Sequence, residues 1–405
     1  MVNNLSFLNS HPIQYLSLTG FSSILNLHFN YNTIDFLELI NCNLGLEESV
    51  KLGQQLSNCH HLKSIKLEKS NNAGNIFQKS LPGKRLMKIR ICNCDLTEEQ
   101  NHFLGRFLKD CHSLQEIDVS YNGKSGNELK PICNGLESSS NSILKINLAG
   151  CSLNELTSGL LGDFLQQCNS LRTIDLSFNY LCGQGFQKIC QGLKSSSKSL
   201  SEMNIYECSL TVQQSCWLGN LLRECTSLQI IDFSCNDTCG KSLQSICEGL
   251  KSSSTTLTKI DFSGCFLSDE QSYWLGDFLE ECNSLKEIDL SFNSNCRIGF
   301  KKICHGLKSS ANTLLKITLD GCCLTDEQSY WLASFLQYCN SLQEIDLSFN
   351  SNYGNAIKNI CNGLKTSINS LSKLTLDGCD LTDEQTDCLD QFLKDCISLK
   401  EFYFT

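Results

Sequence analysis

Ser284–Asn293 reads SLKEIDLSFN and Ser341–Asn350 reads SLQEIDLSFN. The phrase begins at Leu114, Leu171, Leu228, Leu285 and Leu342, each start 57 residues after the last. A second phrase interleaves with it: ILKINLAGC at Ile143, then LSEMNIYEC at Leu200, LTKIDFSGC at Leu257, LLKITLDGC at Leu314 and LSKLTLDGC at Leu371. The structural unit is therefore alternately 28 and 29 residues long. No unit of that size buries an apolar face alone, so each must stack on its neighbours and the core must grow in one dimension.

Both phrases fit L-x-x-L-x-L-x-x-N/C. Weaker copies start at Leu86, Leu62 and Ile34, and the chain closes on LKEFYFT from Leu399. This gives about 14 strand positions between Ile34 and Leu399. The expected organisation is one repeat domain over 1–405, with a degenerate repeat or cap at 1–33, repeats at 34–398 and a terminal strand at 399–405. Side chains alternate across a strand. In the copy at Leu285, Ile288 and Leu290 are expected inside, with Glu287, Asp289 and Ser291 outside. Asn293 falls at the turn, where its amide can satisfy neighbouring backbone; the alternate phrase places Cys there.

Each strand is followed by a helix signal. Ser268 with Gln271 forms a capping box, repeated by Thr97 with Gln100, Thr211 with Gln214, Thr325 with Gln328 and Thr382 with Gln385. Leu275, Phe278, Leu279 and Cys282 then lie at helical spacing, as do Phe300, Ile303, Cys304 and Leu307 in the other helix type. Stacked strands sit ~4.8 Å apart and packed helices about 8–10 Å apart. The expected fold is thus an α/β solenoid, a horseshoe with a parallel sheet on the concave face and helices on the convex face.

Alternating units of L-x-E-I-D-L-S-x-N and L-x-K-I-x-L-x-G-C-x-L-T resemble the ribonuclease-inhibitor-like class of leucine-rich repeats, over about residues 34–405. The class includes ribonuclease inhibitor and the C-terminal arrays of NOD-like immune receptors; the Ran GTPase-activating protein is a more distant relative. The resemblance implies free thiols and a protein partner on the inner face, which ribonuclease inhibitor turns, its C-terminal strands in particular, against basic enzymes. It also presents tryptophans there. Here Trp217, Trp274 and Trp331 share a helix position with Phe103 and Leu160, a departure that fits packing or convex-face contact.

The 27 cysteines do not read as a disulfide framework, because 19 fall in three repeat columns: seven at the turn, seven ending one helix type and five lining the other. Column members lie two repeats apart, roughly 10 Å by strand spacing, beyond the ~7 Å Cα limit for bridging. They read as small buried side chains in a reducing, cytoplasmic setting. The N-terminus has no basic region before an apolar stretch, and no 18-residue apolar run occurs.

A net charge of −10, evenly spread, argues against nucleic-acid or membrane-surface binding. Gly123-Lys124-Ser125 and Gly240-Lys241-Ser242 lack the glycine a P-loop requires five residues earlier, where Asp118 and Cys235 stand. His60 and His61 follow Cys59 with no second ligand pair in view. No catalytic site, cofactor or metal is expected. The sequons at Asn4 and Asn236 remain, with Asn236 disfavoured as a turn residue.

A binding face is therefore sought on outward strand positions. The third position alternates Lys and Glu from Lys259 onward and largely neutralises itself. The fifth is rich in Asp, the seventh mostly Ser, giving an acidic, polar inner surface with few aromatics. Departures mark two candidate clusters: Glu202, Tyr206, Ile230 and Asp232, and a C-terminal group of Asp346, Asp377, Glu401 and Tyr403, with Asp289 in the row between them. The expected function is a non-catalytic scaffold binding a protein, basic by charge complementarity, as an inhibitor or as the sensing array of a receptor. The alternative is a GTPase activator of the Ran-regulator type. The bare edge at FYFT calls for a cap from another domain or subunit, a partner, or further chain.

Overall fold

The computed structural model describes residues 13–21, 33–79, 83–123, 129–180, 182–350 and 356–405. The Asn4 sequon, Lys124, Ser125 and much of 1–33 lie outside these. The chain forms two compact units, Met1–Leu200 and Ser201–Thr405.

The first unit carries β1 (Tyr15–Thr19), β2 (Phe36–Ile40), β3 (Ser64–Glu68), β4 (Lys88–Cys92), β5 (Glu116–Asp118), β6 (Lys145–Asn147) and β7 (Thr173–Asp175). Within the unit, successive strands pair in parallel, in register at the apolar positions: Leu37↔Ile65, Ile65↔Ile89, Ile89↔Ile117, Ile117↔Ile146 and Ile146↔Ile174. The isoleucines Ile65, Ile89, Ile117, Ile146 and Ile174 have no exposed surface. Strand β1 lies in the stretch expected as a degenerate repeat or cap, so the described strands begin one repeat earlier than Ile34. Its helices are α1 (Leu46–Leu56), α2 (Glu98–Leu108), α3 (Lys130–Leu136), α4 (Glu155–Leu165) and α5 (Gly185–Leu193).

The second unit carries β8 (Glu202–Asn204), β9 (Ile230–Asp232), β10 (Lys259–Asp261), β11 (Glu287–Asp289), β12 (Lys316–Thr318), β13 (Glu344–Asp346), β14 (Lys373–Thr375) and β15 (Glu401–Tyr403), again parallel and in sequence order. Its helices are α6 (Val212–Leu222), α7 (Leu243–Leu250), α8 (Asp269–Leu279), α9 (Gly299–Leu307), α10 (Asp326–Leu336), α11 (Ala356–Leu364) and α12 (Asp383–Asp395). Within each unit, a strand paired in parallel with the one before it needs a crossover connection, which the helices supply along most of the chain.

The local signals act as their chemistry dictates. Thr97, Thr211, Ser268, Thr325 and Thr382 each accept from the N3 amide, and the N3 glutamine answers the cap's own N–H. Each cap is worth ~1 kcal/mol. Leu275, Phe278, Leu279 and Cys282 are buried at 1% exposure or less. Glycines let neighbouring helices touch: a Cβ on Gly306 of α9 would stand 2.3 Å from the Gly276 carbonyl oxygen of α8.

The asparagine ladder forms as expected. Asn293 Nδ2 donates to the carbonyls of Phe262 (2.9 Å) and Leu290 (2.9 Å), while its Oδ1 accepts from Leu267 N–H (3.0 Å). Asn236 is fully buried and uses its amide in the same way, which leaves it inaccessible for glycosylation. The cysteines of the alternate phrase are more than small apolar residues. Cys265 Sγ donates to Phe233 O (3.5 Å), Cys322 to Leu290 O (3.2 Å) and Cys379 to Leu347 O (3.4 Å). All 26 described cysteines are free.

Candidate functional site

All eight sequence-derived site residues lie in the second unit, on or just after strands β8–β15. That unit holds 15 Lys and Arg against 27 Asp and Glu, a balance of −12; the first unit holds 18 against 16, a balance of +2. The acidity of the chain is thus confined to one half.

The third-position ladder neutralises itself: Lys259 pairs with Glu287 (3.2 Å), Lys316 with Glu344 (3.3 Å) and Lys373 with Glu401 (3.4 Å). Glu401 is therefore engaged by Lys373, whose ammonium also lies 5.1 Å from the centre of the Tyr403 ring. Glu401, Tyr403 and Lys373 form one knot, with Tyr403 exposed.

The fifth-position aspartates do two jobs. Asp346 Oδ1 accepts from the backbone N–H (3.0 Å) and hydroxyl (2.7 Å) of Ser348. Asp232 serves Ser234 and Asp289 serves Ser291 through the same backbone contact. This turn overturns the expectation that the seventh-position serines face out. Ser120, Ser177, Ser234, Ser291 and Ser348 are all buried. The strand proper ends at the aspartate, and the carboxylate pulls the serine in beneath it. The next residue then takes a left-handed conformation and points outward: Tyr121 (φ 57°), Phe178 (φ 59°), Cys235 (φ 54°), Phe292 (φ 57°) and Phe349 (φ 51°).

That row is the feature the alternation argument missed. The inner surface is flanked by rings, with Tyr121, Phe292 and Phe349 about half exposed. The sequence signal was present in the glycines of the alternate phrase. A Cβ on Gly321 would stand 2.8 Å from the Phe292 ring, and one on Gly378 2.6 Å from the Phe349 ring. The glycine provides the slot over which the ring of the preceding repeat lies.

Where the fifth position is Thr318 or Thr375, the seventh is Asp320 or Asp377, so carboxylates zigzag through Asp289, Asp320, Asp346 and Asp377. Burial, then the charges of Asp346 and Asp289, hold Asp320 above the usual carboxylate range. Burial does the same to Asp289, reinforced by Asp261. One buried carboxylate oxygen on each of Asp320 and Asp377 has no hydrogen-bond partner.

The other cluster also assembles. Glu202 and Ile230, like Asn204 and Asp232, are register partners across β8 and β9. The Tyr206 hydroxyl is hydrogen-bonded to the Glu207 carboxylate and lies beside the Cys235 thiol, which push its pKa to about 12. Beside it, an open groove of about 550 Å³ is lined by Glu207, Cys235, Asp237, Phe266, Phe292 and Ser294. The three tryptophans are half-buried on helices α6, α8 and α10, with Lys301 5.8 Å from the Trp331 ring centre.

No family model matches the chain. It is 27% identical to mouse (Mus musculus) ribonuclease inhibitor over 320 residues, covering 79% of this chain and 70% of that protein. It is 25% identical over 295 residues to mouse NACHT, LRR and PYD domains-containing protein 14, covering 73% of this chain but only 30% of that protein. Among solved structures, the leucine-rich repeat-containing protein LegL7 of Legionella pneumophila aligns with a TM-score of 0.43 at 18% identity, over 70% of this chain and 91% of that one. The parallel strand–helix repeats and the asparagine and cysteine ladders are those of a leucine-rich-repeat fold, and in sequence the chain is similar to ribonuclease inhibitors and to repeat-bearing NACHT proteins.

Proposed function

We propose that this chain is a non-catalytic scaffold that holds a basic protein against the strand face of residues 201–405. The observation that carries the reading is the carboxylate zigzag Asp289–Asp320–Asp346–Asp377, none of whose members forms an ion pair among the described residues, unlike the glutamates of the neighbouring Lys–Glu ladder. An arginine or lysine entering this row would pair with carboxylates already crowded together. Asp232, Tyr206 and Glu202 extend the surface at one end, and Tyr403 and Glu401 at the other. Half-buried Tyr206 at one end and exposed Tyr403 at the other supply rigid apolar contact, the residue type on which interface energy concentrates. The free thiols support residence in a reducing compartment, the cytoplasm.

The test is capture from a reduced cell extract by the intact chain, repeated with Asp346→Lys, Asp377→Lys and Tyr403→Ala. The reading expects a captured protein whose retention falls with salt and with each charge reversal; retention that none of these changes alters would remove the assigned face. The names of the relatives suggest two forms of the same activity. Inhibition of a purified pancreatic-type ribonuclease distinguishes the inhibitor form. Its absence, with capture retained, favours the sensing array.

A further inference from the structure

Within this acidic chain, the first unit carries a recess where cationic and imidazole side chains concentrate. His60, His61, Lys84, Arg85 and His112 line an open pocket of about 520 Å³ together with Gly83, with Asp110 as its sole lining carboxylate. Three of the seven histidines in the sequence converge there. These residues come from three successive helix-to-strand turns, those entering β3, β4 and β5.

Elsewhere in the array the equivalent turns are polar and almost uncharged: Asn169-Ser170, Thr226-Ser227, Asn283-Ser284, Asn340-Ser341 and Asn369-Ser370, with Lys198 in Lys198-Ser199 as the one cation. Their hydroxyls serve the scaffold, as when Ser199 Oγ donates to Leu171 O (2.8 Å) and Ser370 Oγ to Leu342 O (2.8 Å). Cations at helix C-termini often complement the helix dipole. That does not explain their placement here, because α4, α8 and α10 end in the same way before turns with no cation.

Arg85 Nη1 lies 3.3 Å from His61 Nδ1. A guanidinium only donates, so Nδ1 of His61 is the acceptor and its N–H sits on Nε2. The contact braces the planar guanidinium and leaves its remaining N–H groups for a ligand. Lys84 and Arg85 make no ion pair with a carboxylate among the described residues, and both are exposed. Gly83 allows the turn to settle on the end of α2, where a Cβ would stand 2.9 Å from Cys111 Sγ and 3.0 Å from Asp110 O.

We infer that this recess binds a phosphate-bearing ligand, a di- or polyphosphate group held by Lys84, the Arg85 fork and the imidazoles of His60, His61 and His112. A guanidinium fork with an ammonium and several N–H donors is the donor set that phosphate oxygens favour. The recess falls within the ~300–1,000 Å³ range of small-ligand sites. Three adjacent turns span roughly 10 Å by strand spacing, enough for two linked phosphates.

The same chemistry is offered by a free phosphorylated metabolite and by a phosphoinositide headgroup. The intact chain is therefore titrated with inorganic pyrophosphate, following the histidine ring resonances. In parallel it is co-sedimented with phosphatidylcholine vesicles, with and without phosphatidylinositol bisphosphate. Expected is saturable pyrophosphate binding that shifts His60, His61 and His112 and weakens at least tenfold in Lys84→Ala/Arg85→Ala. Lys198→Ala, on another turn, should leave it unchanged, and His61→Gln should weaken it with the fold intact by circular dichroism. Binding to phosphoinositide vesicles but not to pyrophosphate would keep the site and assign a membrane headgroup as its ligand. No saturable binding in either arm, or binding that survives the double substitution, would overturn it.

Discussion

Asn293 Nδ2 lies 2.9 Å from the carbonyl oxygen of Phe262, a residue of the preceding repeat, and Asn293 is only 1% exposed. The amide sews two successive turns together. Replacing it with alanine leaves the Phe262 carbonyl and the Leu267 N–H without these bonds, at roughly 1–3 kcal/mol for each buried group, and leaves the Leu290 carbonyl with the Cys322 thiol as its donor. Asn293→Ala should therefore lower the urea midpoint substantially. Asn293→Cys should lose less, because cysteine at the equivalent turn of the alternate phrase donates to the same class of carbonyl. Equal losses for the two variants would mean that the thiol does not replace the amide as a donor.

Gly306 tests how closely the helices must approach. Alanine is the better helix former by about 0.8–1.0 kcal/mol. Its Cβ at this position would stand 2.3 Å from the Gly276 carbonyl oxygen. Gly306→Ala should thus destabilise despite its propensity, with the loss seen as faster amide exchange in α8 and α9. Gly159→Ala, where a Cβ meets nothing within 4 Å, is the control expected to stabilise.

Asp320 gives a pH dependence with a definite sign. Its folded-state pKa is raised by burial and by Asp346 and Asp289. The folded chain therefore holds this proton more tightly than the unfolded chain does. Stability falls as pH rises from the ordinary aspartate value through the raised one. Asp320→Asn should be more stable than the parent at pH 7 and show a smaller rise in stability on mild acidification. Denaturant midpoints across that range measure both.

Thiol reactivity should follow burial. Cys323 is exposed, and Cys216 and Cys388 are half-buried. Burial pushes Cys151, Cys168 and Cys339 up to about 12, which leaves almost no thiolate at neutral pH. In native protein at pH 8, iodoacetamide should label Cys323 first and those three only after denaturant is added, as mass spectrometry of the peptides would show. Labelling of Cys151 as fast as Cys323 would mean that the repeats open readily.

Much of this protein follows from periodicity. The 57-residue recurrence implies stacked strand–helix units, because an apolar strand face of three residues and a short amphipathic helix cannot be buried alone. Spacing alone marked the isoleucine core, the capping boxes, the asparagine turns, the Lys–Glu ladder and the departure Asp377. Tertiary structure decided what alternation could not reach. A period of two holds only while the chain remains extended, and here the strands stop at the aspartate. Its carboxylate draws the serine inward, and the left-handed residue that follows turns Phe292 and Phe349 out over glycines of the next repeat. The convergence of His60, Lys84 and His112 was equally hidden, since residues 24 to 28 apart in sequence become neighbours only when successive turns stack at strand spacing.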